Sequence, residues 1–491
     1  MVLAGLGAGL ALPPLGLPPL FWLALVPLWQ CTSQPWPLAA AWRGGLWALA
    51  AVLVSHRWLL ALHPLDWLGV PPPLSLPLCA LLLLLIAAIA ALAVGSWCSL
   101  VSRLEGRRCA TAIAAAGLWG LGEVLLARGP LFWIGAGTSA LPGDPALAGI
   151  TALGGSGSLA AVQLLMGWGL WRLLRGAWRS GLVAGLVLLL LLSHGLGAWA
   201  LALQRPTAAA LATEADWRSW LVLQPAIPTR EKFEPLQQRR LQQQLATALQ
   251  AAPSLGVEGL LLPEGSLALG QPLPSEAGVE VLSGGFRLQE SERRSSLLRF
   301  PIGTIEPAAW LDKHRLVPLG EWVPFADQLA WAGLSAVGGI TPGEASRLLK
   351  RPLGAVGVAI CYELADGAAL AEATRSGATW LVASANLDPY PLMLQNQFRA
   401  LARQRAIETG RWLLSAANTG PSLAIDSGGA VRQELRPQEP GLGVMRLQPR
   451  RALTVYDRFG ELPLWLLTVL AGLIRLGGPA ARFPAPVRGS R

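Results

Sequence analysis

Eight long apolar runs, separated by proline, glycine or arginine, constrain this chain more than any other feature of its sequence. They fall at residues 3–12, 17–29, 46–62, 76–100, 110–127, 159–171, 182–203 and 462–476. Several have no polar face, so they do not read as surface helices that cover a soluble core. A helix needs ~20 residues to cross the hydrocarbon of a bilayer, and the first run is short of that length. With 53% hydrophobic and 14% charged residues in 491, the chain reads as a polytopic α-helical membrane domain of about eight spans, with room for one sizeable soluble domain.

Basic residues set the expected orientation. Arg103, Arg107 and Arg108 lie between the fourth and fifth runs, Arg172, Arg175 and Arg179 between the sixth and seventh, and Arg482, Arg488 and Arg491 in the tail. The alternate loops carry little charge: Asp66 in one, Arg128 and Asp144 in another. Lysine and arginine stay on the cytoplasmic side, so the polar region 204–453 is expected outside. The net charge of +10 belongs to these topogenic arginines. No basic run resembles a nucleic-acid surface, and nucleic acid is excluded as a partner. No cleavable signal peptide is expected, because the first run lacks a charged segment before it and continues through a proline break into the second.

The exported region reads as α/β. A charge-rich helical stretch at 236–251 precedes a strand-like run at 259–262, and further β-type runs lie at 279–282, 355–360, 379–383 and 412–416. A second helical stretch covers 395–409. Such alternation predicts strands covered by helices. The expected domains are 1–203 (seven spans), 204–216 (a connector), 217–453 (the exported domain), and 454–491 (a last span and tail).

Cys31, Cys79, Cys98 and Cys109 lie in or beside apolar runs, and Cys361 stands alone in the polar half. There is no CxxC motif or Cys/His cluster, so neither zinc nor a disulfide framework is expected. Three segments place ionisable residues at or near the end of apolar runs: Gly259-Leu-Leu-Leu-Pro-Glu264, Lys313-His-Arg-Leu-Val-Pro-Leu-Gly-Glu321, and Gly357-Val-Ala-Ile-Cys361-Tyr362-Glu363. Loops past strand ends carry active-site groups in α/β folds. A thiol of pKa ~8.5 needs a base to act as a nucleophile; His314 and Glu264 are the candidates. A lysine beside it would stabilise the thiolate and an oxyanion. Taken singly, each residue has a plainer reading. Cys361 would be a small buried hydrophobe, Glu264 a cap or ion-pair partner, Lys313 a surface lysine, Glu321 a partner of Arg315, and Tyr362 packing. Their joint order carries the argument.

That order resembles the nitrilase superfamily, whose catalytic set is Glu–Lys–Cys. The phrases Lys313-His-Arg-Leu-Val-Pro-Leu-Gly-Glu321-Trp-Val-Pro, Ile-Cys361-Tyr-Glu363 and Thr454-Val-Tyr-Asp-Arg-Phe-Gly460 resemble more closely its membrane branch, the apolipoprotein N-acyltransferases. The resemblance spans the whole chain. It implies an α-β-β-α sandwich, Glu264 as general base, Lys313 as oxyanion stabiliser, Cys361 as nucleophile, and Glu321, Tyr362, Glu363 and Asn386 as supporting or substrate-binding residues. It further implies a monomer without metal or cofactor, in the inner membrane with its catalytic domain on the periplasmic side. The implied reaction moves an acyl chain from a membrane phospholipid, as a thioester on Cys361, to the α-amino group of a lipoprotein's diacylglyceryl-cysteine.

The chain also departs from that pattern at positions expected to gate the substrate. Asn386-Leu-Asp-Pro-Tyr390 replaces an aromatic loop that carries tryptophan, Gln397-Phe398 replaces a Gln-His pair, and Phe233 stands where tryptophan is usual. A membrane-tethered amide hydrolase would use the same three residues with water as acceptor. A lipid-binding scaffold would not need the intact set. A transporter would need more charge inside its spans than Glu123 supplies.

Overall fold

The computed structural model of the protein describes residues 1–66, 70–178, 180–205, 217–232, 234–318, 320–321, 339–388 and 390–477. The expected connector from residue 206 onward, Arg179, Phe233 and the tail arginines Arg482, Arg488 and Arg491 lie outside the described residues.

Each of the eight apolar runs contains a helix: α1 (Val2–Ala11), α2 (Pro18–Thr32), α3 (Pro37–Ser55), α4 (Pro72–Arg103), α5 (Cys109–Ala127), α6 (Thr151–Leu174), α7 (Ser180–Gln204) and, after the polar region, α11 (Leu462–Gly477). Proline opens α2, α3 and α4, where its missing N–H costs nothing. Helix α3 starts well before the expected 46, because Arg43 interrupts the hydropathy without interrupting the helix. Beyond Ser55 the run turns into a 3-10 segment, Arg57–Leu62. Among the described residues four helices, α3, α4, α5 and α7, are long and apolar enough to cross a membrane.

Small residues bring these helices together. A Cβ on Gly5 or Gly9 of α1 would lie 2.2 or 2.4 Å from the carbonyl oxygens of Trp47 and Ala51 on α3, the close approach that glycine permits between apolar helices. Helix α6 is kinked at Gly154–Gly155, with Gly155 at φ 70°. Into that kink fits the ring of Tyr456, and a Cβ on Gly155 would meet it at 2.4 Å. The Thr454–Gly460 phrase thus docks the end of the polar region onto the helical bundle. Thr454 caps its short helix through Asp457.

The polar region forms two six-stranded sheets, with strand orders β12-β1-β2-β3-β4-β5 and β11-β10-β9-β8-β7-β6. The strands are β1 (Arg218–Gln224), β2 (Gly259–Leu267), β3 (Glu280–Gln289), β4 (Glu292–Phe300), β5 (Ala309–Asp312), β6 (Leu348–Leu349), β7 (Val356–Ile360), β8 (Trp380–Ala385), β9 (Leu413–Ala417), β10 (Leu423–Ile425), β11 (Val431–Glu434) and β12 (Gly441–Leu447). In each sheet three central strands run parallel (β1, β2, β3 and β7, β8, β9) and antiparallel strands flank them. Sequence expectation found five of the twelve. Of the rest, β5, β6, β10 and β11 span two to four residues and β4 opens on three charged residues, and neighbouring strands hold all of them in place.

The inner faces interdigitate through Trp220, Val222, Leu261 and Leu282 from one sheet and Val358, Trp380, Val382 and Trp412 from the other. Helix α8 (Pro235–Ser254) covers the first sheet through Leu245, Ala248 and Leu249. Helices α9 (Gly367–Arg375) and α10 (Leu392–Thr409) cover the second, and their far side continues into the apolar helices. Helix α10 is therefore buried along most of its length, with Leu392 and Asn396 exposed near its start, and two of its polar side chains bond the N-terminal helical region. Gln397 donates to the carbonyls of Pro13 and Ser55 and accepts from Trp133, and Gln404 donates to Gly137 O.

Candidate active site

The three expected segments converge at one end of the paired sheets. Glu264 sits in a bulge of β2, where the register to β3 shifts between Leu262 and Leu267. The bulge lifts its carboxylate off the ladder. Opposite it stands Gly284, where a Cβ would lie 2.4 Å from the Cα of Glu264. Lys313 follows β5 and is 1% exposed. Its ammonium donates to Glu264 Oε1 at 2.8 Å and to Glu321 Oε1 at 2.7 Å. Glu321 takes this lysine rather than Arg315, and its second oxygen accepts the N–H of Val317 at 2.9 Å. The second oxygen of Glu264 accepts the N–H of Asn386 at 3.0 Å.

Cys361 ends β7 and opens a 3-10 turn with φ 52°. That conformation is uncommon outside glycine and is held only where surrounding structure enforces it. Glu363 enforces it. Its Oε2 accepts the N–H of Ile360 at 2.8 Å. Its Oε1 accepts the N–H groups of His314 (2.7 Å) and Arg315 (3.1 Å) and the guanidinium of Arg347 (2.7 Å). One buried carboxylate thus ties the thiol's turn to the residues just after Lys313.

Electrostatics follow from this packing. Burial, and then the charge of Glu264 within hydrogen-bonding reach, push the Cys361 thiol well above its ordinary range, with Lys313 opposing. At rest the thiol carries its proton and faces a carboxylate. Burial pulls the Lys313 ammonium down, but Glu264, Glu321 and Cys361 more than reverse this and hold it firmly charged. Burial raises Glu321 against the pull of Lys313.

His314, the other candidate base, turns away. Its side chain is exposed and its Nδ1 lies 2.7 Å from Gly343 O. Arg315 stacks over the ring of Tyr362 at 4.0 Å and donates to Gly129 O and Phe132 O. The Tyr362 hydroxyl lies 2.8 Å from the carbonyls of Pro130 and Phe132, and its ring stacks on Trp133. Glu123 anchors that same loop, accepting from the N–H groups of Ala136 and Gly137 and from Trp119. Its carboxylate is thus engaged in holding that loop to α5.

Cys361 is also reached by an apolar cavity of about 150 Å³, lined by Trp58, Leu62, Leu78, Leu82, Ile86, Trp133, Tyr362 and Tyr390 among others. Its wall comes from the turn after α3, from α4 and from the loop after β8. Tyr390 meets Trp58 edge-on at 5.5 Å, so an aromatic pair flanks the thiol although the expected tryptophan is missing. Gln397 and Phe398 were expected at a substrate gate. Both are fully buried, in the interface with the membrane helices and in the core of the second sheet, and neither lines the cavity. Asn386 braces the loop from behind, donating to Thr229 and accepting from Asn418 at 3.0 Å. Sequence reasoning missed Trp58, Trp133 and Arg347; the first two were signalled only as aromatics beside apolar runs. No metal-binding cluster occurs among the described residues.

Residues 4–169 match the family described as apolipoprotein N-acyltransferase N-terminal domain, and residues 310–454 match carbon-nitrogen hydrolase. The second match contains Lys313, Glu321 and Cys361, and Glu264 precedes it. The apolipoprotein N-acyltransferase of Prochlorococcus marinus (strain MIT 9313) is 48% identical over 468 residues, covering 92% of this chain and 91% of that protein. That of Parasynechococcus marenigrum (strain WH8102) is 48% identical over 469 residues, covering 93% and 95%. Among solved structures, Nit3 of Saccharomyces cerevisiae, a member of branch 10 of the nitrilase superfamily, is 16% identical with a TM-score of 0.37, covering 51% of this chain and 95% of that one.

Proposed function

The chain belongs to the apolipoprotein N-acyltransferase family and is an acyltransferase, and from that premise we propose how it moves its acyl group. A membrane phospholipid gives up an acyl chain to Cys361, and the amino group of a lipoprotein's diacylglyceryl-cysteine receives it. The observation that carries this reading is the meeting of a buried Glu–Lys–Cys set with an apolar cavity walled by α4.

In the first step Glu264 takes the thiol proton as Sγ attacks the ester carbonyl. Lys313 faces the oxyanion of the tetrahedral intermediate. The carbon–oxygen bond breaks, the glycerol oxygen leaves with the proton from Glu264, and lysophospholipid departs. In the second step Glu264 takes a proton from the attacking amine, the carbon–sulfur bond breaks, and the sulfur regains a proton as the amide forms. Glu321 holds Lys313, Glu363 holds the thiol's turn, and Tyr362 and Asn386 shape the cavity and the loop beside it. A covalent intermediate lets two bulky lipids use one site in turn. Hydrolysis would send the same thioester to water.

The eight helices would then span the inner membrane, with residues 217–453 on the periplasmic side, joined by a connector at 204–216 and returned by 454–491 to the cytoplasm. The excess of arginine in alternate loops and the packing of α10 against the bundle support this arrangement. The site is complete in one chain, which supports a monomer.

The test is intact-mass analysis of the protein incubated with phospholipid and then with a diacylglyceryl lipopeptide. A fatty-acyl mass should appear on Cys361, be absent from Cys361→Ala, and move to the lipopeptide amine. Acyl mass that never forms, or that decays to free fatty acid regardless of the lipopeptide, refutes the proposal.

A further inference from the structure

One ammonium beside the site is used by none of the steps above. Lys232 lies on the segment between β1 and α8, half-buried. Its Nζ packs over Gly265, the residue after Glu264; a Cβ there would meet it at 2.5 Å. Gly265 has φ 68°, so the position stays clear of side chains and the ammonium approaches the backbone directly. The backbone N–H of Lys232 donates to Thr229 O, but its ammonium makes no hydrogen bond or ion pair among the described residues, although Glu264 is near enough to act on its charge. A half-buried cation without a partner costs free energy unless something anionic arrives.

The same short segment carries a second cation. Arg230 donates to the carbonyls of Leu62 and Pro64, and Leu62 lines the apolar cavity. Thr229 is laced to the opposite loop, its N–H donating to Asp388 at 2.6 Å. The segment therefore bridges the cavity rim and the catalytic carboxylate. A phospholipid whose chain fills the cavity and whose ester reaches Cys361 keeps its phosphate only a glycerol's length away, on the polar side. Building on the acyl-transfer reading, we propose that Lys232 is a donor-positioning residue that binds the phosphodiester of the phospholipid, with Arg230 at the rim of the same anion site. Burial lowers the Lys232 ammonium and Glu264 opposes this, so an incoming phosphate strengthens a charge that the protein alone supports poorly.

Acyl loading of Cys361 is measured by intact mass without any acceptor, so that only the first step is read. The donors are a phospholipid and a diacylglycerol with the same chains, in the same detergent. A charge-assisted hydrogen bond is worth ~10- to 100-fold. Lys232→Met should lose about that factor in the second-order rate of loading from phospholipid, mostly as a raised half-saturating donor concentration, and should lose much less on diacylglycerol. Lys232→Arg should restore the phospholipid preference. Lys232→Gln serves where the methionine variant does not fold. Equal losses on both donors, with the pH profile of Cys361 alkylation displaced, would make Lys232 a partner of Glu264 and overturn the proposal. Unchanged phospholipid kinetics would also overturn it. Wild-type protein that accepts acyl from neither donor would refute the acyl-transfer reading itself, and this one with it.

Discussion

Glu363→Gln changes one atom and should disable both halves of the site. The native carboxylate accepts four hydrogen bonds, three on Oε1 and one on Oε2. A glutamine must place its NH₂ in one of these positions. Placed at Oε1, it faces three donors; placed at Oε2, it faces the N–H of Ile360. The second choice is cheaper, yet it leaves a buried N–H unsatisfied at ~1–3 kcal/mol. It also strips the charge partner from Arg347, in a pair 3% and 4% exposed. Removing one member of a buried pair costs ~3–5 kcal/mol. The two costs overlap, so a total of about 3–5 kcal/mol is expected, a large part of the ~5–15 kcal/mol that holds a domain together. The Cys361 turn, freed from its positive φ, relaxes and carries the thiol away from Lys313. A misplacement of about 1 Å costs ~10²-fold in rate. Thermal unfolding in detergent should show a lowered midpoint. Acyl loading, timed by rapid quench and intact mass at a temperature where the variant is folded, should fall by about that factor. A folded Glu363→Gln protein that loads Cys361 at the wild-type rate would refute the role given to this carboxylate.

Five further outcomes are expected from the site, the topology and the kink in α6. Glu264→Gln should load acyl poorly at neutral pH, yet alkylation of Cys361 by an uncharged reagent should move to lower pH, because the charge that helps hold the thiol up is gone. Lys313→Met should move alkylation the opposite way and also lose ~10²–10³-fold in acyl loading; matching shifts in the two variants would break the assignment. His314→Ala should keep most of its acyl transfer, and a collapse of activity would return that histidine to candidacy as the base. In intact spheroplasts a membrane-impermeant thiol reagent should label Cys361 but leave Cys109, which is exposed in the structure, unlabelled until the membrane is opened; the reverse pattern would invert the topology. Gly155→Ala should lower the unfolding midpoint by straining φ and pressing on Tyr456, at ~1–3 kcal/mol, whereas an unchanged midpoint would show that the kink is not needed.

The amino-acid sequence determined the helical bundle and the residues of the candidate site, because both are written locally. An apolar run without a polar face declares itself in any window, and a thiol, a lysine and a carboxylate at the ends of short β-type runs are visible without knowing what surrounds them. Tertiary structure decided everything that depends on distant neighbours. Glu264 and Lys313 are 49 positions apart and meet only because β2 bulges beside β3 while β5 ends on the same edge. The choice of Glu264 over His314 as the group facing the thiol depends on which way each side chain turns once packed. Gln397 and Gln404 look like surface residues of a polar helix, and their burial follows from the docking of α10 on membrane helices that precede it by hundreds of residues. Short strands such as β5 and β6 were silent for the same reason. Their pairing energy comes from partners across the sheet, and no local pattern of two to four residues can carry it.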